Sequence, residues 1–482
     1  MMLFFRRSYT NISTHFSDDV SKNGIFFELA FIVYVVWNLA YSFFPLFFKT
    51  FYIKLVHYPD FVSYDIFYSF ISYPYLNFSG LLLSVLTTYI YFIISLYYFF
   101  SSSEVVNYRF FIFFLIITEF SLYLTFFTSN FLLFYILFEF ILIPFYFIVL
   151  IWGSRPTKVG ASFRLVFFTL VFSSPLTVLM AINFYDDLFS FNFQILFSTL
   201  STNSIFLQIA FFFSSFLAFA VKIPLFPAHV WLPEAHGEAP TFGSVLLAGV
   251  LLKLGGYGFY QVFYEFINPV WSMQVFNFFT FTYVVSILTI FYSNIIVFNQ
   301  LDIKRTIAYY SIGHMGFVTL GFITNNVEGY SGAILIMLSH GLSAAGLFFC
   351  VGYLYEQSHT RSILAFRGIA ATTPVLASLI FFFICANISF PGTANFIGEQ
   401  LVLIGLAKLD PALSFLPVMG VLLNGLSTFL FYIRLAFGEV TNETVFIREL
   451  QTHKFLLLIV LFFPIVIAGF FPNFLVNIIS KI

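Results

Sequence analysis

Thirteen runs of this chain are apolar over a length that crosses about 30 Å of hydrocarbon, and nothing else in the sequence restricts the fold as much. They cover 25–48, 79–100, 109–128, 130–151, 161–183, 203–222, 243–264, 273–298, 302–325, 329–355, 375–405, 412–436 and 454–478. The largest polar stretch between them, 49–78, is too short for a globular domain, so anything functional lies in or beside a membrane. Composition agrees: 61% of residues are hydrophobic and 9% charged, against about 25% charged in an ordinary soluble domain. The expected fold is an all-α membrane protein with about 13 transmembrane helices.

Several function classes drop out early. A net charge of −1 implies no nucleic-acid partner. Cys350 and Cys385 both fall in apolar runs, and two thiols cannot build an iron–sulfur cluster or a Cys-rich zinc site. No glycine-rich turn suited to a nicotinamide or flavin is present. If the chain serves a redox enzyme, the redox chemistry happens elsewhere. Its 78 phenylalanines take the lipid-facing role usual for Leu, and their AT-rich codons point to an organellar gene. Segment 1–24 carries Arg6 and Arg7 among Ser and Thr, but Asp18 and Asp19 argue against an import signal. These charges are costly in lipid, so 1–24 is expected to be a polar lead-in that does not span.

Basic residues alternate by loop. Arg6, Arg7 and Lys22, then Arg155 and Lys158, Lys304 and Arg305, Arg361 and Arg367, and Arg448 and Lys454 share one side if each run spans once. The other side holds Lys49, Lys54 and Lys408, so the N-terminus is expected inside and the C-terminus outside. Two runs carry prolines that break helices, at Lys222-Ile-Pro224-Leu-Phe-Pro227 and at Ser389-Phe-Pro391-Gly392. Pro224 falls 115 residues after residue 109, and Pro391 falls 118 after residue 273. That spacing suggests two inverted five-helix repeats, 109–264 and 273–436, each with a broken fourth helix, as in secondary transporters. Segments 25–108 and 454–478 flank them.

Ionisable residues sit where they cost most. Glu139 and Lys253 are mid-run, Lys222 and Glu399 flank the two breaks, and His314, His340 and Glu119 lie within apolar segments. A structural Glu139–Lys222 ion pair, packing roles for either histidine and a peripheral Glu119 are the plain alternatives. Lys253 is too central to reach the interface and needs an internal partner or water. A proton path needs affinities that can be tuned, and a carboxylate approaching or leaving a buried lysine supplies that. If Glu139 and Lys222 act so, they should lie within about 4–6 Å. Lys253, His340 and Glu399 should also face the bundle interior. His229, Glu234 and His236 lie in the bend between Pro224 and Pro240 without helical ligand spacing, which speaks against a metal there.

Several of these segments are also motifs. Lys222-Ile-Pro-Leu-Phe-Pro-Ala-His-Val-Trp-Leu-Pro-Glu-Ala-His236 with Glu238-Ala-Pro-Thr241, and Leu247-Ala-Gly-Val-Leu-Leu-Lys253-Leu-Gly-Gly-Tyr-Gly258, come first. Asp302-Ile-Lys-Arg-Thr-Ile-Ala-Tyr309, Ser311-Ile-Gly-His-Met-Gly316, Leu338-Ser-His-Gly-Leu-Ser343 and Phe390-Pro-Gly-Thr-Ala-Asn-Phe-Ile-Gly-Glu399 follow. Together they closely resemble the antiporter-like subunits of respiratory complex I, the proton-translocating NADH:ubiquinone oxidoreductase, over roughly 109–440. The acid at Glu399 resembles the chain 4 branch, where chains 2 and 5 typically carry lysine. The resemblance implies a coupling pair at Glu139 and Lys222, a central axis of Lys253, His314 and His340, and a terminal Glu399. It further implies that NADH, FMN, iron–sulfur clusters and ubiquinone belong to other subunits, with none bound here. The implied partners are other complex I membrane subunits, related antiporter-like chains among them, and lipids, in the inner mitochondrial membrane. A subunit of a multi-subunit sodium/proton antiporter and a transport-inactive scaffold are the alternatives. Two departures stand out: the family's usual first helix has no counterpart here, and Gly237 and Phe242 are atypical beside the Glu-Ala-Pro-Thr motif.

Overall fold

The computed structural model describes residues 78–100, 108–185, 205–266 and 278–479. The first apolar run and the polar lead-in lie outside them. The twelve other runs all coincide with a helix or a pair of helices. The first six helices are α1 (Phe78–Phe100), α2 (Tyr108–Phe127), α3 (Phe131–Phe140), α4 (Leu142–Trp152), α5 (Lys158–Tyr185) and α6 (Ile205–Lys222). Next come α7 (Trp231–Glu238) and α8 (Thr241–Leu246), which runs through a π turn (Leu247–Leu251) into α9 (Leu252–Phe266). Then follow α10 (Phe278–Val297), α11 (Ile303–Ile323), α12 (Val327–Ser358), α13 (Pro374–Asn387), α14 (Ala394–Leu409), α15 (Pro411–Ala436), α16 (Thr452–Phe470) and α17 (Pro472–Ile479).

Three of the described reversals between spans are short, and an Asx side chain caps the helix that follows each. Asn130 accepts from the Leu133 amide at 3.1 Å, Asn326 from Gly329 at 2.8 Å and Asp410 from Ala412 at 2.9 Å. The run 130–151, read as one helix, is two. Pro144 lacks an amide proton and crowds the Phe140 carbonyl, and the helix is interrupted at Ile141, two residues after Glu139.

Both proline breaks are present, over 223–230 and 388–393. At the first, the Leu225 amide reaches back to Ala220 O (2.8 Å), the acceptor that Pro224 cannot serve. This frees Val221 O, which takes the Trp231 indole N–H at 2.8 Å. At the second, the Phe390 amide reaches back to Cys385 O (3.0 Å), and Ala386 O takes Asn395 Nδ2 at 2.7 Å. Pro391 leaves Asn387 O open, and Asn424 Nδ2 serves it at 3.2 Å. Irregular backbone survives at membrane depth because protein groups satisfy it.

Burial sorts the helices. Over an 18-residue apolar stretch of each, every residue of the span through α8 and α9 and 94% of those in α11 and in α12 are buried, against 22%, 33% and 28% in α5, α15 and α16. The first three form the centre, and the last three present apolar side chains outward. At one end of α13 the Glu449 carboxylate accepts from the Val375 and Leu376 amides at 3.2 and 3.0 Å. A residue remote in sequence thus supplies the missing N-cap. Glu449→Ala is expected to cost about 1 kcal/mol and to speed proteolysis of the 359–373 connection in the intact protein. Unchanged cleavage would show the cap to be dispensable.

Candidate functional site

Four ionisable side chains on the central helices form one buried series. Lys253 lies in the first turn of α9, and its ammonium donates to the Ala248 carbonyl within the π turn just before it. Its Nζ also lies 2.8 Å from His340 Nδ1 on α12. His340 Nε2 is 3.1 Å from Ser311 Oγ on α11, an arrangement satisfied when lysine donates to a neutral ring that donates onward. The His340 and His314 rings are 5.3 Å apart, tilted by 43°. His314 Nδ1 then lies 3.1 Å from Glu399 Oε1 on α14, off line for a hydrogen bond. All four residues are at most 2% exposed, so Lys253 and Glu399 face the bundle and not lipid, as expected.

Close helix packing sets these distances. Residues 332 and 398 are glycine, and a Cβ at Gly332 would stand 2.6 Å from Gly398 O and 2.8 Å from Val402 N. Only bare backbone lets α12 and α14 approach so far, and that approach brings Glu399 into the centre.

Glu139 and Lys222 form a second group. Lys222 ends α6, is fully buried and donates to the Phe138 carbonyl, with Nζ 3.3 Å from the centre of the Phe138 ring. A cation over an aromatic face is partly compensated for lost water. Both Glu139 carboxylate oxygens are buried beside the Ser173 hydroxyl, with no hydrogen bond of good geometry among the described residues. The two residues are neighbours in each other's field but form no ion pair within 4.0 Å. The backbone carbonyl one residue before Glu139 holds the lysine, and the carboxylate stands aside. Glu119 is buried beside Tyr91, between α1 and α2.

A third group was missed. Lys304 and Arg361 count as loop charges in the positive-inside reading, yet each is 1% exposed. Lys304 Nζ donates to Ala239 O at 2.9 Å, and Arg361 donates to Ser154 Oγ. Glu238 is buried near both, Asp302 pairs with Arg155 at 3.8 Å, and His236 lies within Coulombic reach of Lys304 and Lys253. A hydropathy count registers where a charge falls, not where it points. The bridge that turns Arg361 inward, Ile303 N to Arg361 O at 3.0 Å, joins segments with no sequence signal in common.

The three residues weighed as metal ligands face different neighbours. His229 packs on Tyr292 (4.9 Å between rings), Glu234 pairs with Arg164, and His236 stacks on Phe348 at 4.8 Å. Among the described residues no group of three ligand-type side chains could hold a metal.

The profile of the family described as NADH:quinone oxidoreductase/Mrp antiporter, TM, matches residues 128–426, which is more than half of the chain. The chain belongs to this family. All six candidate residues, from Glu139 to Glu399, fall inside the matched family region. NADH-ubiquinone oxidoreductase chain 4 of Chondrus crispus is 39% identical over 75% of this chain and 72% of its own length. NADH-quinone oxidoreductase subunit M of Rickettsia conorii is 38% identical over 73% of this chain and 71% of its own length. Among solved structures, a chain of respiratory complex I from Thermus thermophilus with bound NADH superposes with a TM-score of 0.74 at 26% identity, over 84% of both chains. A chain of the Mrp complex from a Dietzia species reaches the same TM-score at 16% identity, over 84% of this chain and 83% of its own, and shares the family's fold.

Proposed function

We propose that this chain is a proton-translocating membrane subunit of respiratory NADH:ubiquinone oxidoreductase. The observation that carries the reading is the buried series Lys253–His340–His314–Glu399. A proton crosses the Lys253–His340 hydrogen bond without heavy-atom movement, leaving a neutral amine and an imidazolium. His314 relays toward Glu399, with water carrying the proton between the two rings. Glu139 and Lys222 act as the loading switch. The lysine exchanges the Phe138 carbonyl for the nearby carboxylate, and its proton affinity rises when the carboxylate closes and falls when it opens.

The resemblance between chain and relatives supports an assembly in which NADH, FMN, iron–sulfur and ubiquinone chemistry sits in other subunits. It also supports a place in the inner mitochondrial membrane among related antiporter-like chains. The basic loops favour a matrix-side N-terminus, and the paired breaks favour two inverted repeats, 109–264 and 273–436.

Glu139→Gln or Lys222→Met in the intact complex, reconstituted into vesicles, is expected to cut NADH-driven proton uptake by an order of magnitude or more, to at most about a tenth. Unchanged uptake with normal assembly would reduce the pair to structure. Co-purification without flavin or iron–sulfur subunits would move the chain to a sodium/proton antiporter.

A further inference from the structure

Below the Lys253–His340 pair the same three helices present two more layers. On α9, Lys253, Gly256, Tyr257 and Tyr260 recur at helical spacing on one face. On α12 the matching positions are His340, Met337 and Tyr330, and on α11 they are Ser311, Met315 and Phe322. The middle layer is apolar. A Cβ at Gly256 would lie 2.7 Å from Met337 Sδ and 3.6 Å from both Met315 Cε and Val318 Cγ1. The last layer is aromatic and hydroxylated. Tyr260 and Tyr330 are 4.5 Å apart between rings, and Phe322 closes the triangle at 5.4 and 6.0 Å. Ser79, at the start of α1, and Tyr257, which donates to Phe126 O at 3.1 Å, border the same layer.

Two atoms there have no plain packing role. Tyr330 Oη and Ser79 Oγ are buried neighbours, Tyr330 also lies beside the Tyr260 hydroxyl, and neither Tyr330 Oη nor Ser79 Oγ completes a hydrogen bond of good geometry among the described residues. A buried polar group left so is costly, and a water with two to four polar partners removes the cost. This layer also sits at the end of the bundle where α12 begins and α9 ends, away from Lys304 and Arg361.

We propose that Tyr330, Tyr260 and Ser79 line a hydrated antechamber, and that Met337 gates proton passage between it and Lys253. Methionine suits the role, being unbranched, flexible and apolar, and its thioether fills the space that a side chain at position 256 would take. With Met337 aside, a water entering the layer accepts a proton from the Lys253 ammonium and passes one on to the water at Tyr330 and Ser79. Lys253 is then neutral until reprotonated through His340. This outlet is separate from Glu399, and it rests on the reading of Lys253 as a proton carrier.

The test uses the whole complex in vesicles without substrate, following passive proton entry under an imposed potassium diffusion potential. Met337→Ala is expected to raise the leak several-fold, and adding Tyr330→Phe with Ser79→Ala or adding Lys253→Met should return it to the parental value. Met337→Leu, which keeps the plug, should not leak. Met337→Val runs the same test if the alanine variant does not assemble. A parental leak in the assembled Met337→Ala or Met337→Val complex overturns the gate, and a leak indifferent to Tyr330→Phe with Ser79→Ala overturns the antechamber. NADH-driven pumping of Lys253→Met alone separates the two readings. If it stops while the leak stays parental, only the outlet fails; if it persists, the carrier reading fails first.

Discussion

Lys253→Met is expected to stop NADH-driven proton transfer through this chain, while the complex still assembles with a full complement of subunits. The side chain stands between the Ala248 carbonyl and His340, hydrogen-bonded to both. Loss of a positioned proton donor typically costs about 10²–10⁴ in rate. Lys253→Arg sharpens the test. Guanidinium keeps the charge and donates hydrogen bonds, but it holds its proton too firmly to release it. A structural cation is replaced adequately by arginine, whereas a carrier is not. Proton uptake by Lys253→Arg vesicles equal to the parent would therefore make Lys253 a structural cation.

Gly332→Leu is expected to be as damaging by a different route. The new side chain meets backbone, Gly398 O and Val402 N, and backbone in a packed helix cannot step aside as a side chain can. Overpacking of this kind costs about 1–3 kcal/mol and often more. It pushes α14 away from α12 and takes Glu399 out of reach of His314. The expected result is a lower thermal midpoint for the complex, reduced abundance and loss of pumping, with Gly332→Ala intermediate. If Gly332→Leu complexes accumulate and pump as the parent does, close backbone approach is not what positions Glu399.

Much of this architecture is decided one segment at a time, which is why the sequence alone determined it. Every apolar run must satisfy its backbone internally, so spans are legible from length and hydropathy. The breaks at Pro224 and Pro391 are legible because proline removes a hydrogen bond wherever it stands. The interior placement of Lys253 and Glu399 follows from the cost of exposing them to lipid. Which groups meet is another matter. Lys253 finds His340 across 87 residues, and Lys222 takes the Phe138 carbonyl beside Glu139. Lys304 and Arg361 turn inward, and a π turn falls at Leu247–Leu251 with no proline to announce it. Only the tertiary structure decided these. The cost of burying a charge is a property of its own segment, but the partner that offsets it depends on how closely distant helices approach. That approach is set by backbone contacts such as Gly332 on Gly398, which no single segment contains.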